Sequence, residues 1–463
     1  MTEFLLAELP YHPDSTILFD KVADEPWSVF LDSNQPASTQ GRYDIIAAKP
    51  NIRLITKNNK TKIQTWSESF TVPGDPFAIL EEHLSLHKKY SLKLPFIGGA
   101  LGFFNYDLGR YIEKIPNKAT DDLSLPDMAM GIYSWVIVVD HKNKKTNLVG
   151  DKLDTKTRRN WGDLVRTFSE KPSCIKRAEF NVKSSVTSNM SEEDYGNAFQ
   201  RIKNYIREGD CYQVNLAQRF SVSVEGSPWL AYQALRKINS SPFSAYMNYP
   251  DFQILSNSPE RFLSVKDRVV QTKPIKGTRP RSNDKSKDQS LMQELQDSKK
   301  DQAENVIIVD LLRNDISKNC ALGSVQVSKL FDIESFPNVH HMVSTITGQL
   351  RDQRSTIDLL RGCFPGGSIT GAPKLRSMEI IEELEPHRRG IYCGSIGYIG
   401  FDGNMDTNIA IRTIVHKDQS MHFYAGGGIV YDSQVNSEYQ ETFDKAASIM
   451  QLFNPGKSYA MGH

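Results

Sequence analysis

The sequence predicts an α+β fold built on large, mainly antiparallel β-sheets flanked by helices. Three observations lead there. Short β-branched and aromatic runs recur between turn residues, helix-period segments gather late in the chain, and hairpin-like spacings outnumber regular strand–helix–strand units.

Residues 1–150 read as strand-rich, with runs at 27–31 (WSVFL), 44–48 (DIIAA) and 132–139 (IYSWVIVV). Residues 151–189 turn polar and basic without a sustained apolar period, as a connector with one short helix would. A third region spans 190–455. It opens on a helix with Ser191 as N-cap and acidic residues in the first turn, stopped near Glu208, Gly209 and Asp210. Strands follow at 253–256, 262–265, 392–399 and 421–425, and helices at 289–317, 372–384 and 437–453. Between them 271–280 (QTKPIKGTRP) places Lys276 in a Pro/Gly/Thr turn, where most lysines only keep a loop solvated. There is no internal repeat.

Composition narrows the partners. A chain of 463 residues has room for two or three domains or one intertwined unit, and a formal charge of +1 without long like-charge blocks argues against nucleic acid or an anionic membrane. The five cysteines (Cys174, Cys211, Cys320, Cys363, Cys393) form no CxxC pair, as expected of reduced thiols in a cytoplasmic protein. The acidic start, with Glu3 and Glu8, predicts no signal peptide, and the apolar runs are too short to cross a membrane.

Several groupings carry possible chemistry. In the last helix Tyr439, Phe443, Ala446, Met450 and Phe453 form the core stripe, while Glu438, Glu441 and Lys445 share another face. That face is either solvated or a pair of hard oxygen ligands for Mg²⁺ with a lysine one turn on. Glu304 borders the apolar run 306–312, which reads as buried, and needs a cationic partner or a metal there. The run 364–374 (FPGGSITGAPK) fails as a P-loop because Ala372 and Pro373 follow the second glycine; it reads as a glycine turn feeding a helix, with Pro373 near the first helical position. Gly426, Gly427 and Gly428 follow a strand, as a tight turn or a close approach to an anion would require. Glu260 has Arg261 beside it, His341 follows His340, and Arg412 stands in an apolar strand as carboxylate clamps do.

Together PIKGT, KDQAENVIIVDLLRNDI, HHMVSTITGQL, FPGGSITGAPK, GSIGYIGFDGNMDTNIAIRT and AGGGIVYDSQVNSEYQETFDKA, in order across roughly residues 190–453, resemble the chorismate-binding enzymes, which make anthranilate, aminodeoxychorismate, isochorismate or salicylate. The N-terminal region resembles that of the ammonia-using members. The resemblance implies a sandwich-like core with the N-terminal and catalytic regions intertwined. It implies that Glu304 and Glu441 hold Mg²⁺, with Glu438 close behind or acting through water. It implies substrate contacts from Gln213, Gly277, Thr278, Tyr398, Arg412, Gly426, Gly427, Gly428 and Lys445, with Glu260 as general acid and His341 beside the reacting ring.

Two positions separate the members. Water-adding members carry a basic lysine where this chain has Gln213, so ammonia is the expected nucleophile. Anthranilate-forming members read PIAGT where this chain reads PIKGT, the form of aminodeoxychorismate synthesis. The resemblance casts Lys276 as a covalent nucleophile, which demands a neutral amine, its pKa lowered by desolvation and by a cation such as Lys273 or the metal. No cysteine lies in a G-x-C-x-G context, so ammonia is expected from a separate glutamine amidotransferase subunit in a heterodimer. Ser33, Arg42, Tyr43, Pro242, Phe243 and Ser244 lie where relatives form an L-tryptophan pocket. The competing expectations are anthranilate synthesis and a non-catalytic chorismate- or tryptophan-binding subunit.

Overall fold

The computed structural model describes residues 4–34, 41–86, 92–171, 175–336 and 339–454. Among these residues two sheets, of thirteen and twelve strands paired antiparallel, stack face to face. Strand alternation assigns the layers. Val29, Ile45, Ala47, Val136 and Val138 of the first sheet pack with Leu101, Phe103, Ala129 and Ile396 of the second. Their sequence neighbours Phe30, Ile46 and Ile137 point the other way, into a layer with Trp229, Tyr232, Phe423 and Phe453. Ala100, Phe104 and Met130 cover the opposite outer face with Phe77, Ile308, Leu312 and Leu360. Phe30, Phe103 and Phe104 are fully buried, each contributing roughly 1.5–3 kcal/mol. The architecture is a helix-flanked β-sandwich.

In each sheet strands from the early part of the chain occupy one side and strands from the late part the other, joined at a single pairing. In the first, Ser28–Asp32 pairs with Phe243–Asn248; in the second, Gly99–Phe104 pairs with Ser395–Gly400. The described residues of the polar stretch 151–189 hold a longer helix than its composition predicts, and two short strands. Helix Thr155–Ser169 starts at Asp154, whose carboxylate accepts from the Thr157 N–H, and seats Phe168 against Trp135. Asn181–Val182 and Thr187–Ser188 then pair with Gln213–Glu225.

Other local differences matter for the site. The run 132–139 breaks at Ser134 into Met128–Tyr133 and Trp135–Asp140, which belong to different sheets. Lys276 lies in the strand Ile275–Pro280, not in a turn. The expected helix 289–317 is two helices, Lys285–Asp297 and Lys299–Ser317, and Ser298 ends the first and caps the second. Val306 and Ile307 are exposed on the second helix, while Ile308, Val309 and Leu312 are buried: the apolar run wraps the helix and only one side meets the core. Pro373 is the N-cap of Lys374–Leu384, one position before the expected one. Gly426, Gly427 and Gly428 lie within the strand Ser420–Ile429. Arg412 stands just outside the strand Thr413–Lys417, and the strand expected at 392–399 begins at Ser395. Cys211, Cys320, Cys363 and Cys393 are free and buried; Cys174 lies outside the described residues. Among the described residues no helix is long and apolar enough to cross a membrane.

Candidate active site

Lys276 is placed by an irregular strand pair. Ile275–Pro280 runs against Val339–Gln349, with Ile275 opposite Val343 and Thr278 opposite His341, so the first strand carries one extra residue there. Gly277 takes φ +81°, and a Cβ on it would come within 2.8 Å of Leu295 and 2.9 Å of Asp301, so glycine is required. The Lys276 ammonium reaches the carbonyl oxygen of Ser368 at 3.4 Å. Burial pushes its pKa down, and Lys445 adds to the effect against Glu304, Glu260 and Glu441. The neighbouring cation is therefore Lys445 rather than Lys273, whose ammonium pairs with Glu334.

Glu260 precedes the strand Arg261–Lys266 and is buried. Its Oε1 accepts from the Ser368 hydroxyl at 2.7 Å. Desolvation raises its pKa, opposed by Ser368, Lys276 and Lys445, which favours a protonated acid beside the lysine. Arg261 itself turns away, its guanidinium bonding Asp406 at 2.9 Å.

His341 shares a 2.8 Å hydrogen bond with Thr278 through Nδ1. Burial, then the nearby Arg412 charge, pulls its pKa down to about 3, so the imidazole is neutral. Arg412 adopts φ +50° and has no ion pair among the described residues; burial alone lowers its pKa. A half-buried guanidinium without a counter-ion among the described residues is a ready receptor for a carboxylate.

Helix Val435–Phe453 supplies the acidic wall. Glu441 pairs with Lys445 at 2.6 Å, and Ser433 donates to Glu438 at 2.7 Å. A Cβ on Gly427 would lie 3.0 Å from Glu438 Oε2 and 3.2 Å from Glu441 Oε1, so the glycine strand brings these carboxylates against the sheet. A Cβ on Gly426 would meet the Leu216 carbonyl oxygen at 2.4 Å, and one on Gly428 the Gln213 amide at 2.1 Å. Gln213 Oε1 is buried and unpaired among the described residues. Burial raises the pKa of Glu304, with Lys276 and Lys300 opposing and Glu441 adding repulsion.

Among the described residues no three His, Cys, Asp or Glu side chains converge closely enough to define a metal site by themselves. The donors present are carboxylate oxygens only, two of them against Gly427. That set suits Mg²⁺, which keeps waters and takes further oxygens from a substrate.

Tyr398 does not join this cluster. It packs on Phe96, with centroids 4.9 Å apart, and lines a separate cavity of about 1320 Å³. Ser33, Arg42, Tyr43, Pro242, Phe243 and Ser244 line the same cavity. Arg42 bonds Asp140 at 3.0 and 2.6 Å, and the Ser33 hydroxyl donates to Asp44 at 2.7 Å. Sequence reading missed Ser368 and Lys300. The second was visible as the residue one turn before Glu304; the first had no signal beyond its place in FPGGSITGAPK.

A family model for chorismate binding enzyme matches residues 28–451. The chain belongs to the chorismate binding enzyme family. Aminodeoxychorismate synthase component 1 of Klebsiella aerogenes is 44% identical over 449 residues, 96% of this chain and 98% of the relative. The same component of Escherichia coli (strain K12) is 46% identical, over 94% of each. Among solved structures of the family's fold, anthranilate synthase component I from Streptococcus pneumoniae TIGR4 superposes with a TM-score of 0.77 at 33% identity, covering 89% of this chain and 93% of that one.

Proposed function

We propose that this chain is component 1 of an aminodeoxychorismate synthase, converting chorismate and ammonia to 4-amino-4-deoxychorismate, the precursor of 4-aminobenzoate in folate synthesis. The observation that carries the reading is a half-buried lysine, Lys276, beside a buried acid, Glu260, both reaching Ser368. A site built only to bind chorismate needs neither.

The neutral Lys276 amine adds to ring carbon C2, both ring double bonds shift, and the C4 hydroxyl leaves as water with a proton from Glu260. Ammonia then adds at C4, both double bonds shift back, the protonated adduct releases the neutral lysine amine, and the new C4 ammonium returns a proton to the Glu260 carboxylate. Desolvation and Lys445 favour the neutral amine; desolvation favours the protonated form of Glu260. Arg412 and Lys445 clamp carboxylates, and neutral His341 packs beside the ring with Thr278 fixing its orientation. Gln213, Gly277 and Gly426 to Gly428 shape the remaining walls. Glu304 and Glu441, with Glu438 behind, would hold Mg²⁺, which when bound would supply positive charge against the ring carboxylate.

Ammonia comes from a glutamine amidotransferase partner; the relatives' designation as component 1 fits a two-component enzyme. We place the complex in the cytoplasm, and assign L-tryptophan to the separate cavity. The test is to incubate the chain alone with chorismate, Mg²⁺ and ammonium and identify the product by mass. 4-Amino-4-deoxychorismate with ammonium and none with glutamine supports the reading; anthranilate with pyruvate overturns it.

A further inference from the structure

Ser368 touches both the acid and the lysine. Its hydroxyl donates to Glu260 Oε1 at 2.7 Å, and its carbonyl oxygen accepts from Lys276 Nζ at 3.4 Å. The turn Gly367–Ile369 that carries it is held from several sides. Thr370 Oγ1 donates to the Gly366 and Gly367 carbonyls at 3.1 and 3.3 Å, and Arg389 donates to that of Ile369 at 2.9 Å. Added Cβ atoms on Gly366 and Gly367 would each come within 2.6 Å of a neighbour, Ile409 and Leu311. Ser368 is therefore fixed relative to two strands that reach the site separately.

A hydroxyl donor binds a carboxylate about twice as strongly as a neutral acid. Its bond to Glu260 thus strengthens as the proton departs, which lowers the barrier to transfer. A neutral amine has two N–H bonds and one lone pair; an acceptor on one N–H limits where the lone pair points.

We propose that Ser368 is a positioning residue for the reaction: its hydroxyl stabilises the Glu260 carboxylate as the proton passes to the C4 oxygen, and its carbonyl oxygen orients the Lys276 amine toward the ring. This rests on the reading of Glu260 as the acid. The charged or titratable groups facing Glu260 are Lys276, Lys445 and Cys393, and the Ile275 backbone also bonds it. Among these neighbours, Ser368 is the uncharged side chain bonded to it.

The experiment compares Ser368→Ala, Ser368→Cys and Ser368→Thr in the ammonium-dependent reaction across pH, with thermal unfolding as a fold check. Cysteine keeps the volume with a weak donor; threonine keeps the hydroxyl. Ser368→Ala and Ser368→Cys are expected to lower kcat by about ten- to a hundredfold with KM for chorismate unchanged. Losing a donor that favours the charged form raises the Glu260 pKa, so the falling limb of the kcat profile moves to higher pH. Ser368→Thr is expected to keep the wild-type kcat and limb. Wild-type behaviour in Ser368→Cys, or a loss in Ser368→Thr equal to that in Ser368→Ala, overturns the proposal. Glu260→Gln separates the two layers: an active Glu260→Gln sinks the acid assignment, whereas an inactive one beside unaffected Ser368 variants sinks only the role of Ser368.

Discussion

Lys445 Nζ lies 2.6 Å from Glu441 Oε1, one turn apart on the last helix, and 2.9 Å from the carbonyl oxygen of Gly426 on the glycine strand. The pair joins the acidic wall to the sheet beneath it, and the ammonium also acts on Lys276. Lys445→Met is expected to raise KM for chorismate by about tenfold or more through loss of a charge-assisted contact. It also removes a repulsive neighbour of Lys276, so the ammonium form of Lys276 persists to higher pH and the rising limb of the activity profile moves up. Steady-state kinetics across pH measure both effects.

Lys276→Ala is expected to abolish 4-amino-4-deoxychorismate formation with ammonium. Glu260→Gln should lower the rate by roughly a hundred- to ten-thousandfold, the span of a general acid. Quenching the wild-type chain with chorismate and no ammonia should leave an adduct on the peptide containing Lys276, detected by intact mass and digestion. An unmodified lysine together with an active Lys276→Ala variant would refute the covalent route.

Gly427 explains why the two helix carboxylates can lie against the strand, since any Cβ there would crowd both. Added Mg²⁺ is expected to raise the thermal midpoint of the wild-type chain by mass action on the folded state. Glu441→Gln should remove most of that rise and Gly427→Ala should weaken it. Differential scanning fluorimetry with and without a chelator reads this independently of turnover.

The acidic wall was legible because Glu438, Glu441 and Lys445 sit at helix spacing, where one periodicity decides which side chains share a face. The placement of Lys276 was not, because the extra residue between Ile275 and Thr278 exists only relative to the partner strand, some sixty residues away in sequence. The same holds for the cation near Lys276: Lys273 is close in sequence but turns to Glu334, while Lys445 arrives from the last helix. The break at Ser134 hides in a continuous apolar run, since both halves are buried strands and only the change of sheet separates them. Ser368 needed the fold, because nothing local marks a serine that meets Glu260 more than a hundred positions away.

Tyr398 shows how a motif can be right while one of its residues points elsewhere. It packs on Phe96 at an interplanar angle of 46° and shares with Arg42 and Phe243 a cavity whose lining does not include Lys276. Tyr398→Phe is therefore expected to leave KM for chorismate unchanged. Calorimetry with L-tryptophan should show binding to the wild-type chain, weakened by Phe243→Ala, which removes an aromatic wall that also stacks on Arg261. A change in chorismate KM without a change in tryptophan binding would reverse the assignment.

His341 gives the sharpest pH expectation. Burial and the nearby Arg412 hold its pKa near about 3, well below the ordinary 6.5. No limb of the activity profile near neutral pH should therefore belong to it, and its imidazole resonances should stay at neutral-form shifts from pH 5 to 9 on the scale set by ordinary histidine titration. The sign for stability follows from proton binding. Below about pH 6.5 the unfolded chain protonates this histidine while the folded chain does not, so unfolding takes up a proton and stability falls as pH drops toward about 3. Replacing it by a neutral, non-titrating side chain in His341→Asn should remove that part of the slope. Thermal midpoints of wild type and variant at stepped pH measure it: equal slopes would mean that His341 titrates normally in the folded protein.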